Sequence, residues 1–156
     1  MSIRGDSVRT LVENPLFLSG VSSWFLAQLT KALIVLLRVR QRREFIATMM
    51  WRTGGMPSSH SALFSALATA AAFSEGFHSN LFVVTFFLAL TMMRDALGVR
   101  RSTGLQARVL NALSRDLSEL SNHEFHPVKE VHGHTPLEVL TGAILGIIIA
   151  SAVAIL

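Results

Sequence analysis

The last twenty residues of the chain, LEVLTGAILGIIIASAVAIL, hold one charged side chain, Glu138, at the head of the run. A segment that is apolar on every side suits a bilayer, whose hydrocarbon core of about 30 Å takes about 20 apolar residues per helix. In hydrocarbon each backbone N–H and C=O must be bonded within the segment, so the run is predicted to be a helix. Composition agrees. AVILMFWYC make up 51% of the 156 residues and DEKR only 15%, where a soluble domain carries about 25% charged residues. The length fits one domain. With no cysteine, disulfide scaffolds, Cys-based zinc sites and thiol catalysis are excluded.

Three more apolar runs precede this one. Residues 15–37 form a span interrupted by Lys31. Residues 61–73 are short and rich in Ala and Ser, which suits contact with other helices rather than lipid. Residues 81–93 are nearly all apolar. In residues 105–120, Leu105, Val109, Leu113, Leu117 and Leu120 recur at helical spacing with charged residues between them, the pattern of an amphipathic helix. The expected fold is therefore all-α: an integral membrane bundle of about four membrane helices plus one amphipathic cytoplasmic helix. It forms a single domain over residues 1–156, with residues 1–14 as an N-terminal tail. That tail carries Arg4, Asp6, Arg9 and Glu13 before any apolar run, unlike a cleavable signal peptide. Gly142 and Gly146 stand at GxxxG spacing, which permits close helix contact and makes a homo-oligomer an expectation.

Charge placement sets the orientation. Arg38, Arg40, Arg42, Arg43 and Arg52 follow the first span, and Arg94, Arg100, Arg101, Arg108, Arg115 and Lys129 follow the third; together they are eleven of the 14 basic residues. With four spans both segments lie on one face, and the positive-inside rule makes it cytoplasmic. The expected location is the inner or plasma membrane. This distribution, rather than the net charge of +4, argues against a nucleic-acid partner. Lys31 has two readings: a pathway residue of a small transporter, or a side chain snorkelling to the interface.

Three polar motifs fall on that same face. Thr53-Gly54-Gly55-Met56-Pro57-Ser58-Ser59-His60 leads into the second span. Gly54 and Gly55 allow a tight turn, Ser58 or Ser59 can cap a helix, and a helix N-terminus offers free N–H groups to an anion. Arg94-Asp95-Ala96-Leu97-Gly98-Val99-Arg100-Arg101 closes the third span. Its adjacent arginines suit an anion, with Asp95 placed to hold one of them. Lys129-Glu130-Val131-His132-Gly133-His134-Thr135-Pro136-Leu137-Glu138 opens the fourth. Thr135 and Glu138 fit a capping box with Pro136 at the first helical position. Glu138 also stands four residues after His134, where its carboxylate would raise the imidazole's basicity. Both readings of Glu138 stand at this level. His123, His126 and His132 beside His134 have no convincing metal-ligand spacing, and neither metal nor other cofactor is expected.

Met56-Pro57-Ser58-Ser59-His60-Ser61, Asp95 to Arg101, and Gly133-His134-Thr135-Pro136-Leu137-Glu138-Val139, in this order, resemble the divergent PAP2 family, membrane proteins related to acid phosphatases and vanadium haloperoxidases. The resemblance covers residue 42 to the C-terminus. It implies an α-helical, metal-independent hydrolase of phosphate monoesters, often of lipids, working through a phosphohistidine. By position, His134 matches the nucleophile and His60 the acid that protonates the leaving oxygen, while Glu138 stands where the wider superfamily has Asp. Ser59 replaces the glycine of the Pro-Ser-Gly-His motif. The upstream Lys…Arg-Pro motif and the Ser-Arg before the nucleophile are absent.

The expected activity is hydrolysis of a lipid or isoprenoid phosphate at the cytoplasmic face. His134, His60 and Glu138 would be catalytic. Arg100, Arg101, Arg52, Lys129, Ser58, Ser59 and Gly55 would surround the phosphate, with Asp95 supporting. The missing arginines favour an alternative, a non-catalytic binder of anions or phospholipid headgroups; a small transporter subunit is a third reading.

Overall fold

The structure is a computed structural model, and it describes residues 3–39, 55–121, 125–130 and 133–156. Among these residues every regular element is a helix, and there is no strand. The helices are α1 (Ile3–Val12), α2 (Pro15–Val39), α3 (Ser59–Glu75), α4 (Asn80–Leu97), α5 (Val99–Ser121) and α6 (Pro136–Ile155). The expected N-terminal tail thus contains a short helix. Asn14 starts α2: its Oδ1 accepts from the N–H groups of Leu16 and Phe17 at 2.9 and 3.4 Å, and Pro15 at the first position has no N–H to satisfy. Ser58 and Ser79 cap α3 and α4 in the same way.

Among the described residues, three helical stretches are long and apolar enough to cross a membrane: Pro15–Leu37, the apolar part of Asn80–Leu120, and Pro136–Ile155. The second span expected from the sequence is α3. Its 17 residues extend about 25 Å at 1.5 Å per residue, short of the hydrocarbon thickness. It packs against α2, α4 and α6, and most of its Ser and Ala residues are buried among them. Small residues serve there because they let backbones approach closely.

The contact between α3 and α6 is the tightest. Gly142 lies on the carbonyl oxygen of Ser58 and Gly146 on that of Ala62, and a Cβ at either glycine would collide with that oxygen. The GxxxG pair is therefore occupied inside the chain. Gly146→Ile is expected to destabilise the protein by about 3 kcal/mol, the upper range for overpacking a core. Thermal unfolding in detergent, monitored by circular dichroism, would check this; an unchanged midpoint would contradict it.

Helix α4 ends at Gly98, whose N–H donates to the carbonyl of Arg94 at 2.8 Å, and α5 begins at the next residue. The amphipathic helix expected at 105–120 is thus the later part of a longer one. The segment 125–130 is tied to it. Val128 exchanges two hydrogen bonds with the Asn111 side chain, at 2.8 and 2.9 Å, and Glu130 pairs with Arg108 at 3.2 Å. Further on, Gly133 lies against the backbone of Arg101, where a Cβ would not fit. Helix α5 is thus a splint that delivers residues 133–135 to the start of α6.

Candidate functional site

The turn of α2 that carries Lys31, the start of α3, the end of α4 and the start of α6 meet at one end of the bundle. Three hydrogen bonds fix this meeting. Ser58 N–H donates to the Glu138 carbonyl at 2.9 Å, His134 N–H donates to the Ala96 carbonyl at 3.2 Å, and Lys31 Nζ donates to Ser59 Oγ at 3.2 Å. All three polar sequence motifs are thereby represented in one cluster.

His134 stands at its centre. The residue is 3% exposed, and among the described residues neither Nδ1 nor Nε2 has a hydrogen-bond partner. Buried polar groups are nearly always bonded, and leaving one unpaired costs on the order of 1–3 kcal/mol. Burial is the main cause holding the imidazole below the ordinary histidine range. The positive charge of Lys31 adds to this, Glu138 opposes it, and His60 and Arg100 contribute in the lowering direction. The ring is therefore neutral near pH 7, with a free lone pair.

His60 sits half-buried in the first turn of α3, and His134 senses its charge. Ser58 is spent on structure: its Oγ accepts from the Ser61 N–H and hydroxyl at 3.4 and 3.0 Å. By helix geometry the N–H groups of Ser59 and His60, in the first turn, have no intrahelical acceptor and remain for an anion. Gly55 forms the turn leading in, at φ 87°, a left-handed conformation that favours glycine.

The cationic residues divide. Arg100 donates to Asp95 Oδ2 at 2.6 Å and acts electrostatically on His134. Asp95 thus holds Arg100 beside the cluster. Arg101 brings its backbone to Gly133 while its side chain is exposed. Lys129 is exposed, as is His126. Arg52, His123 and His132 lie outside the described residues.

Lys31 is the residue that sequence reasoning left out of the site. It is 4% exposed and points inward to Ser59 rather than snorkelling outward. A signal was present: Ser19, Ser23 and Lys31 lie on one four-residue repeat of α2, and all three are buried. A polar stripe on a membrane helix faces its bundle.

For Glu138 the structure shows the capping box. Its Oε2 accepts from Thr135 N–H at 3.0 Å, and its own N–H donates to Thr135 Oγ1 at 3.4 Å. No hydrogen bond joins it to His134, whose ring is unpartnered. A side chain in a capping box reaches back to the cap N–H, away from a neighbour's ring. Its influence on His134 is electrostatic. Glu138→Gln, which keeps the box, is therefore expected to leave folding intact and to reduce turnover by less than about tenfold, because it removes a charge contact worth up to about 1 kcal/mol and no hydrogen bond to the ring. Thermal unfolding and phosphate release, measured together, check it; a larger loss at unchanged stability would show a direct role.

The model of the divergent PAP2 family matches residues 12–149. The chain belongs to that family. It is also similar to the uncharacterized membrane protein YuiD of Bacillus subtilis (strain 168), with 36% identity over 155 residues covering 92% of this chain and 96% of that protein. No solved structure matches the chain. The apolar helices and this relative make the chain a membrane protein.

Proposed function

We propose that this member of the divergent PAP2 family is a phosphatase acting on a lipid or isoprenoid phosphate monoester. The observation that carries the reading is the buried, unpartnered His134 imidazole beside Lys31, His60, Arg100 and a helix N-terminus. A neutral imidazole in a cationic setting suits attack on a phosphate, whose charge the surrounding donors offset.

In the first step a lone pair of His134 attacks phosphorus. An N–P bond forms, the P–O bond to the alcohol breaks, and His60 in its protonated form, which burial, Arg100 and Lys31 disfavour and Asp95 favours, supplies the proton that the departing oxygen takes up. Lys31, Arg100 and the first-turn N–H groups of α3 hold the phosphoryl oxygens. In the second step His60 takes a proton from water as the water oxygen bonds to phosphorus. The N–P bond breaks, phosphate leaves, and His134 is restored. Release of inorganic phosphate from a panel of lipid phosphates by the purified protein, with EDTA present, tests the reading. No release from any member would overturn it.

A specific observation favours a second reading, a non-catalytic binder of phospholipid headgroups. Glu138 is bonded to Thr135, so no carboxylate orients the His134 ring. Binding of lipid phosphates without phosphate release would select this reading.

We assign the site to the cytoplasmic face, because Arg94, Arg100 and Arg101, at the end of α4 and the start of α5, adjoin it. A cysteine placed at Arg101, in a chain with no native cysteine, is expected to resist an impermeant thiol reagent in intact cells and to react after permeabilisation. Reaction in intact cells would reverse the orientation.

A further inference from the structure

A groove of about 490 Å³ runs between α3, α4 and α6, within the 300–1,000 Å³ usual for ligand sites. Alanines form its floor, Ala68 and Ala72 on α3, Ala89 on α4 and Ala143 on α6, and Phe82 and Phe86 rise as a wall. No charged residue among the described ones lines it. Small residues create the space, because the same positions filled by leucine would close the gap.

The groove starts about one helical turn from the polar cluster on α3 and α4. Its lining begins at Ser65, one turn beyond Ser61; at Met93, beside Arg94 and Asp95; and at Ala143, beside Gly142, which rests on Ser58. From there it extends toward the opposite end of the bundle, where Phe77 stacks edge-on against Phe82 at 5.1 Å. The helical rise makes it about 12 Å long on α3, from Ser65 to Phe73, and about 16 Å on α4, from Met93 to Phe82. Each wall is a single stripe of one helix, so the groove is one interhelical gap wide. Phe73, Phe77, Leu90 and Ile147 on its rim are exposed on the outer surface of the bundle, the side that faces lipid.

We propose that this groove holds one hydrocarbon chain of the phosphate-bearing lipid, entering sideways from the bilayer, with the phosphate at His134. The inference rests on the phosphate reading of the polar cluster. It adds that the bundle selects its substrate by the tail, and that Phe77 and Phe82 limit the length accepted. A water-soluble phosphate would bind only the polar end and forgo the burial of its missing chain.

The test uses the intact protein in nanodiscs and a single-chain alkyl phosphate with a photoreactive diazirine near the chain terminus. Labelling is expected on Phe73, Phe82 and Phe86, and is expected to fall about tenfold when the probe carries an uncharged alcohol head, because charge-assisted bonds to the phosphate are lost. Label spread equally over Val84 and Leu88, which face outward at 56% and 47% exposure, would show bulk lipid only and overturn the proposal. Crosslinked dimers that shield the groove would assign it to a second copy and overturn it equally.

A variant gives an independent measure. Ala72→Phe fills the groove and is expected to lower the kcat/KM ratio of long-chain to short-chain phosphate about tenfold, the loss of roughly two buried methylenes. An unchanged ratio in a folded sample would contradict the tail site. The labelling requires no turnover. Localised label without phosphate release would therefore sink the hydrolase reading and leave the tail site standing, whereas release with dispersed label would do the reverse.

Discussion

His134→Ala is expected to abolish phosphate release and every trace of a covalent phosphoenzyme, while the protein still binds vanadate. The ring supplies the only protein atom assigned to bond phosphorus. Lys31, Arg100 and the start of α3 stay in place without it, because His134 makes no side-chain hydrogen bond that holds them. Deleting a buried, unpartnered imidazole is also expected to leave stability nearly unchanged, since the loss of packing is offset by removal of two unsatisfied nitrogens. Acid-quenched labelling with a radioactive lipid phosphate makes the measurement. A labelled intermediate surviving in the variant would remove His134 from the role of nucleophile. In the wild-type protein the acid limb of the rate profile should fall below the ordinary histidine range. Burial and Lys31 keep this ring neutral to lower pH, and activity is lost as pH falls through that lowered value.

His60→Ala is expected to lose about 10²–10⁴-fold on an alkyl phosphate, the usual worth of general acid catalysis, and far less on nitrophenyl phosphate. An alkoxide leaves poorly without a proton, whereas a nitrophenolate needs little help. With the activated ester, attack of water becomes the slow step, and a phosphohistidine should accumulate on His134. Rates on the two ester classes and the amount of labelled protein report this together. Equal losses on both esters would show that His60 binds or supports rather than donates a proton.

Much of this architecture is legible in the sequence. A membrane helix satisfies its backbone within its own segment, so length and apolarity announce it wherever the chain places it. The caps were equally local: Thr135, Pro136 and Glu138 lie within one turn, and the capping box follows from their spacing. The order of the three motifs pointed to the family because each motif is a short contiguous string. The candidate site was legible in part, for His60, His134, Arg100 and Asp95 are all drawn together. Arg101 and Lys129, which have the right chemistry, direct their side chains outward, and one sequence does not distinguish an inward arginine from an outward one.

What the tertiary structure alone decided was which faces meet. Lys31 and Ser59 are 28 residues apart, and nothing local says that the lysine in the first span reaches the head of α3. The GxxxG pair signals close contact without naming its partner, and packing gave it to Ser58 and Ala62 of the same chain. Helix α3 reads as a short, weak membrane span because its small residues serve neighbouring helices rather than lipid, and only the bundle shows those neighbours. The sequence by itself determined the helices, their caps and the chemistry available at their ends, since these rest on hydrogen bonds and hydrophobicity within a few turns. The meeting of those ends around one imidazole, and the groove left beneath it by facing alanines, depend on side chains far apart in the chain closing against one another.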